Sequence, residues 1–151
     1  CAACLPFSVL RSLYITVDQF RWGISVVYTG RKPAGAWVGT PAEKKLDLDT
    51  LTEPTVIFEG SAREAAQAYP KNANVAATLA LAGIGMNETQ VRLIADPSAT
   101  RNTHEYSVVS EATEYSMCLT GKASALNPKT SMTTVYSLAR AVLNKSSAIV
   151  I

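Results

Sequence analysis

"PTVIFEGSAREAAQAYPKNANVAATLALAGIGM", residues 54–86, changes its periodicity twice, and the rest of the fold is arranged around it. It opens on a short apolar run, Pro54 to Gly60, carrying the β-branched and aromatic residues that suit a pleated strand. Ser61 stands three positions before Glu64, the spacing of a capping box, where hydroxyl and carboxylate satisfy each other's backbone amides. Pro70 cannot continue the helix that follows and stops it after Tyr69. From Asn74 the residues are small and apolar nearly all round, which predicts a second, buried helix with Asn72 or Asn74 as its cap.

Downstream, "QVRLIAD" (90–96), "HEYSVVS" (104–110) and "EYSMCLTG" (114–121) read as strands. In the last, Tyr115, Met117 and Leu119 alternate with Ser116, Cys118 and Thr120, which predicts one buried face. "NPKTSMTTVYSLARAVLNK" begins with Asn127 as cap and Pro128 at the first helical position, and Met132, Val135, Tyr136, Ala139, Val142 and Leu143 fall on one face. A closing "SSAIVI" reads as extended. Upstream, "ISVVYTG" (24–30) is a strand entering a turn at Gly30, and "RKPAGAWVGTPAEKK" (31–45) is a polar connection. Residues 1–23 are ambiguous between helix and strand and form an atypical opening segment; 24–151 is the domain proper. Helices mixed with mostly consecutive strands imply an α+β (α/β-like) domain with a mixed sheet.

A chain of 151 residues, 48% hydrophobic and 17% charged, has enough apolar material for one sizeable core. The net charge of +2 is too small, and the basic residues too dispersed, for a nucleic-acid partner. The longest apolar run, Val75 to Met86, falls short of the ~20 residues a membrane span needs. "CAACLPFSVL" lacks a basic leader, so a soluble, cytoplasmic protein is expected. Cys1, Cys4 and Cys118 form neither a disulfide framework nor a ligand set, and no metal is expected.

Two familiar motifs fail on context. "GIGMNE" (83–88) has G-x-G without a third glycine and follows a helix, whereas a dinucleotide phosphate loop runs from strand to glycine turn to helix. No G-x-S-x-G elbow is present. What remains is "ADPSATRNTHEY" (95–106), which holds the one histidine, together with "YPKNANVAAT" (69–78). An imidazole can pass a proton near neutral pH with little tuning. Asn102, two positions before His104, would share its side of an extended segment. Arg101 and Lys71 are candidate carboxylate clamps. A strand edge with a solvated histidine and an ion-paired arginine would account for the same residues without chemistry.

The segments "YTGRKPAGAW" with "GTPAE", "TVIFEGSAREAAQAYPKNANVAATLALAGIG", "VRLIADPSATRNTHEY" and "NPKTSMTTVYSLARAVL" closely resemble the C-terminal half of L-aspartate dehydrogenases, from about Val27 to Ile151. The motifs PKN-x-NVAA and ADP-x(4)-N-x-H-E carry the resemblance. It implies a largely antiparallel mixed sheet packed by helices. It also implies NAD- or NADP-dependent oxidative deamination of L-aspartate to iminoaspartate, then oxaloacetate and ammonia. By the same likeness His104 and Asn102 are the catalytic candidates, Arg101 and Lys71 bind the substrate carboxylates, and Asn72 and Asn74 face the cofactor. A homodimer or higher homo-oligomer is implied.

The family carries an N-terminal Rossmann half with a G-x-G-x-x-G loop, which these residues do not contain, and residues 1–23 do not resemble the family's Gly-rich run there. Two functions are therefore set side by side: the catalytic domain of an aspartate dehydrogenase, and a truncated, inactive remnant serving as an oligomeric binding or structural domain.

Overall fold

The computed structural model describes residues 25–111 and 113–122. Five strands form one sheet: β1 (Ser25–Pro33), β2 (Thr55–Ser61), β3 (Gln90–Asp96), β4 (Thr103–Val109) and β5 (Glu114–Thr120). Two helices, α1 (Ala62–Ala68) and α2 (Asn74–Ala82), lie between β2 and β3, and two single 3-10 turns (Ala34–Trp37 and Pro41–Lys44) follow β1. The order across the sheet is β2-β3-β1-β4-β5. Only β1 and β3 run parallel; the other three pairings are antiparallel. The sheet is thus mixed and largely antiparallel, with helices packed on it, as expected.

The β2-α1-α2-β3 unit follows its local signals closely. Ser61 Oγ accepts from the Glu64 amide at 3.3 Å while the Ser61 amide donates to Glu64 Oε2 at 2.8 Å, so the capping box is complete. α1 ends before Tyr69, as Pro70 requires. A register irregularity between Val56 and Phe58 sets Phe58 opposite Leu93 while Ile57 stays buried, so consecutive residues both reach the core. α2 stops at Ala82, and Gly85 turns the chain at φ 101°, a conformation glycine adopts without strain.

The core lies between one face of the sheet and the two helices. Val26 and Tyr28 of β1, Val91, Leu93 and Ala95 of β3, and Tyr106 and Val108 of β4 meet Ala62, Ala65, Val75, Ala76, Leu79 and Ala80 from the helices. Tyr69 joins the layers, with ring centroids 5.6 Å from Phe58 and 6.0 Å from Trp37, both edge-on.

Several expectations need correction. Gly30 is not in a turn: β1 runs on to Pro33, so Arg31, Lys32 and Pro33 belong to the sheet and only the rest of the predicted connection lies outside it. Neither Asn72 nor Asn74 caps α2. The cap position is Ala73, with no side-chain bond, because a tight turn carries the chain in: the Asn72 and Ala73 amides both donate to the Tyr69 carbonyl at 2.9 Å. α2 is not buried all round either, since Leu81 is 70% exposed. On β5, Tyr115 and Leu119 pack against the core, but Met117 is exposed, so its apolar face is only partly covered. The readings of residues 1–23, of the helix from Pro128 and of "SSAIVI" fall outside the described residues.

Candidate functional site

Alternation along a strand sends every second residue to the same face. On β1 that face carries Tyr28, Gly30 and Lys32, all buried; on β4 it carries His104 and Tyr106. β1 and β4 pair so that Gly30 stands directly opposite His104. The juxtaposition explains the glycine. A Cβ at position 30 would come within 2.9 Å of the Tyr28 hydroxyl, 3.1 Å of its ring and 3.2 Å of Leu93. With only a hydrogen there, the Tyr28 hydroxyl reaches His104 Nδ1 at 2.7 Å.

His104 is 7% exposed, and its other ring nitrogen, Nε2, is buried without a hydrogen-bond partner among the described residues. Burial first, and the nearby positive charge of Lys32 second, push its pKa down to about 4. The imidazole is therefore neutral at pH 7, and with Nδ1 committed to Tyr28 it is Nε2 that is left without a partner among the described residues. Tyr28 is itself fully buried, which holds its phenol well above the usual range and keeps it protonated.

Lys32 is 8% exposed. Its ammonium donates to Asn72 Oδ1 at 2.9 Å, lies 3.5 Å from the Asn72 carbonyl, and sits 5.2 Å from the centre of the Trp37 ring. Burial lowers its pKa to about 8, which leaves most molecules charged at neutral pH. Trp37 is held by the turn that follows it: Thr40 Oγ1 donates to the Trp37 carbonyl at 2.6 Å and accepts from the Ala42 amide at 3.3 Å. On the opposite face of the sheet, Arg31 pairs with Asp96 at 2.8 Å. The Ser98 hydroxyl and then Arg31 hold Asp96 at about 2.

Of the residues expected from sequence, Asn72 bonds to Lys32, which shares the face of the sheet that carries His104. Asn102 immediately precedes β4 and is half-buried; its carbonyl accepts from the Gly121 amide at 2.9 Å, which pins this end of β4 to the end of β5. Asn74 is the first residue of α2, and its Oδ1 accepts from the Val75 amide at 3.0 Å. Lys71 lies exposed in the turn between the helices, and Arg101 lies exposed before β4. Neither shares in the hydrogen bonds around His104 among those described.

Sequence reasoning missed Tyr28, Gly30 and Lys32. The signal was present as alternation through "VYTGRK", where a tyrosine, a glycine and a lysine share one face with an apolar core.

The chain matches the family model "Aspartate dehydrogenase, C-terminal" over residues 16–145. It is 58% identical over 125 residues to an L-aspartate dehydrogenase of Pseudomonas aeruginosa, covering 83% of this chain and 47% of that protein. To an L-aspartate dehydrogenase of Cupriavidus necator it is 56% identical over 124 residues, covering 82% of this chain and 47% of that protein. The crystal structure of aspartate dehydrogenase from Thermotoga maritima superposes with a TM-score of 0.66 at 29% identity, over 96% of this chain and 51% of that one. The chain thus spans about half the length of the relatives it matches. With family model, sequence and fold in agreement, the chain belongs to the aspartate dehydrogenase C-terminal family.

Proposed function

We propose that these residues form the catalytic half of an NAD- or NADP-dependent L-aspartate dehydrogenase, which interconverts L-aspartate with oxaloacetate and ammonia. The observation that carries this reading is His104: a buried, neutral imidazole fixed at one nitrogen and unpartnered at the other. Burying a polar nitrogen without a partner costs stability, so such a group is retained where a ligand or reacting atom completes it. The orphan Nε2 suits the reactive end of a nicotinamide site, and in this reading Asn72 and Asn74 face the cofactor. Bound there, NAD or NADP supplies the acceptor for the hydride that leaves the α-carbon.

The chain's own residues then handle protons. Nε2 accepts a proton released as the amine becomes an imine and water adds, and returns it in the reverse direction. Its low proton affinity keeps the base form available at neutral pH. Tyr28 keeps the ring from turning, which preserves the approach geometry. In this reading Asn102 assists His104 at the reacting centre, and Arg101 and Lys71, both exposed, bind the substrate carboxylates.

Among the described residues no helix is long and apolar enough to cross a membrane. We place the protein in the cytoplasm as a homodimer or higher homo-oligomer.

The test is oxidation of NADH and of NADPH by the purified protein in the presence of oxaloacetate and ammonia. Turnover that needs both supports the reading. Folded protein with no such turnover would instead favour the inactive binding or structural remnant.

A further inference from the structure

We propose that Lys32 is the cation that receives a carboxylate of the substrate, and that Asn72 and Trp37 hold it for that purpose. This rests on the reading of the site given above and names the group that makes it selective for a dicarboxylate.

The argument begins with an imbalance. A buried ammonium is costly unless an anion pairs with it. The described ion pairs are Arg31–Asp96 and Arg92–Glu59, and neither includes Lys32. Strand alternation explains why Asp96 does not serve: Ala95 lies across from Lys32 on the core side, so Asp96 points to the other face, where it neutralises Arg31. Among the described residues its polar and aromatic partners are all neutral: the Asn72 amide oxygen, the Asn72 carbonyl and the face of Trp37.

These neighbours also leave capacity. An ammonium has three N–H donors. The 2.9 Å bond to Asn72 Oδ1 takes one, and the 3.5 Å contact to the carbonyl is at the limit of a hydrogen bond. The indole ring braces the charge from the side without competing for a proton. The cation is therefore oriented and, among the described residues, unneutralised, and its charge is felt at the His104 imidazole. Lys32 lies two positions along the same face of β1 from Gly30, the residue opposite His104, so a carboxylate on Lys32 would bind beside the imidazole. Lys71 and Arg101, being exposed, could attract a dianion from solvent but would grip it weakly.

The test uses Lys32→Met, which keeps the length and removes the charge, and Lys32→Arg as the charge-retaining control. In Lys32→Met the KM for oxaloacetate should rise roughly 10- to 100-fold, the range expected for losing one charge-assisted hydrogen bond. Affinity for NADH should stay within about twofold, and the ligand-free melting temperature should not fall, since an apolar side chain relieves the buried charge. Lys32→Arg should recover part of the loss. Thermal stabilisation by oxaloacetate alone reads binding without turnover, so it separates this claim from the proposed activity. Wild type should be stabilised and Lys32→Met should not. Equal stabilisation of both proteins, or none of either, or an unchanged KM in Lys32→Met, would overturn the assignment.

Discussion

Gly30→Ala adds one methyl group and tests the packing beneath the site. The new Cβ would stand 2.9 Å from the Tyr28 hydroxyl, closer than such carbons approach neighbours, and 3.1–3.2 Å from the Tyr28 ring and Leu93. Tyr28 and Leu93 are both fully buried, so neither can swing aside into solvent. Overpacking of this kind costs about 1–3 kcal/mol. For a chain of this length each kcal/mol lowers the melting temperature by roughly 2–4 °C. The expected fall is therefore about 2–12 °C, read by circular dichroism or calorimetry. Because the nearest clash is with the hydroxyl, Tyr28→Phe should partly relieve it. The double-mutant cycle should show at least about 0.5 kcal/mol of favourable coupling. Activity should fall as well, since the methyl pushes on the group that orients His104. A melting temperature within about 1 °C of wild type, or strictly additive effects in the cycle, would refute the account of why a glycine faces this histidine.

Two further expectations concern the same pair. Tyr28→Phe removes the partner of His104 Nδ1 at 2.7 Å, so kcat should fall about tenfold while KM for oxaloacetate holds within about twofold; equal kcat would show that the ring needs no such support. His104 also makes stability depend on pH. It binds a proton near 6.5 when unfolded and only near 4 when folded, so acidification through that window favours the unfolded chain. The stabilisation present above pH ~6.5 should be lost toward pH ~4, amounting to about 3 kcal/mol. Denaturant titrations of wild type and His104→Gln across that range isolate the effect, and parallel curves for the two proteins would contradict it.

Much of the fold was readable because its signals are local. The Ser61–Glu64 box, Pro70 and the glycines at 83 and 85 each act within a few residues, and β3 matches its predicted bounds at Gln90 and Asp96. The site was less readable because its causes are tertiary. Gly30 looks like a turn residue along the chain, yet it is a glycine because of Tyr28 and His104, the latter from a strand far away in sequence. Taking it as a turn cut β1 short and put Lys32 in a loop, which hid the buried cation. The amide of Asn72 reads as a helix cap by type and spacing. Instead it accepts from Lys32, and the turn after Tyr69 brings the chain into α2 without a side-chain cap. The histidine itself was found, through its chemistry and the motif around it. Its burial, and the tyrosine behind it, could not be read from the polar residues on either side.

The central claim is that the imidazole at position 104 moves the proton in the interconversion of aspartate and oxaloacetate. Comparing the rate of ammonia-dependent NADH oxidation by oxaloacetate in His104→Ala and wild type addresses it most directly. The account expects a loss of roughly 100-fold or more, in a variant whose affinity for NADH is retained. A variant turning over at the wild-type rate would contradict it.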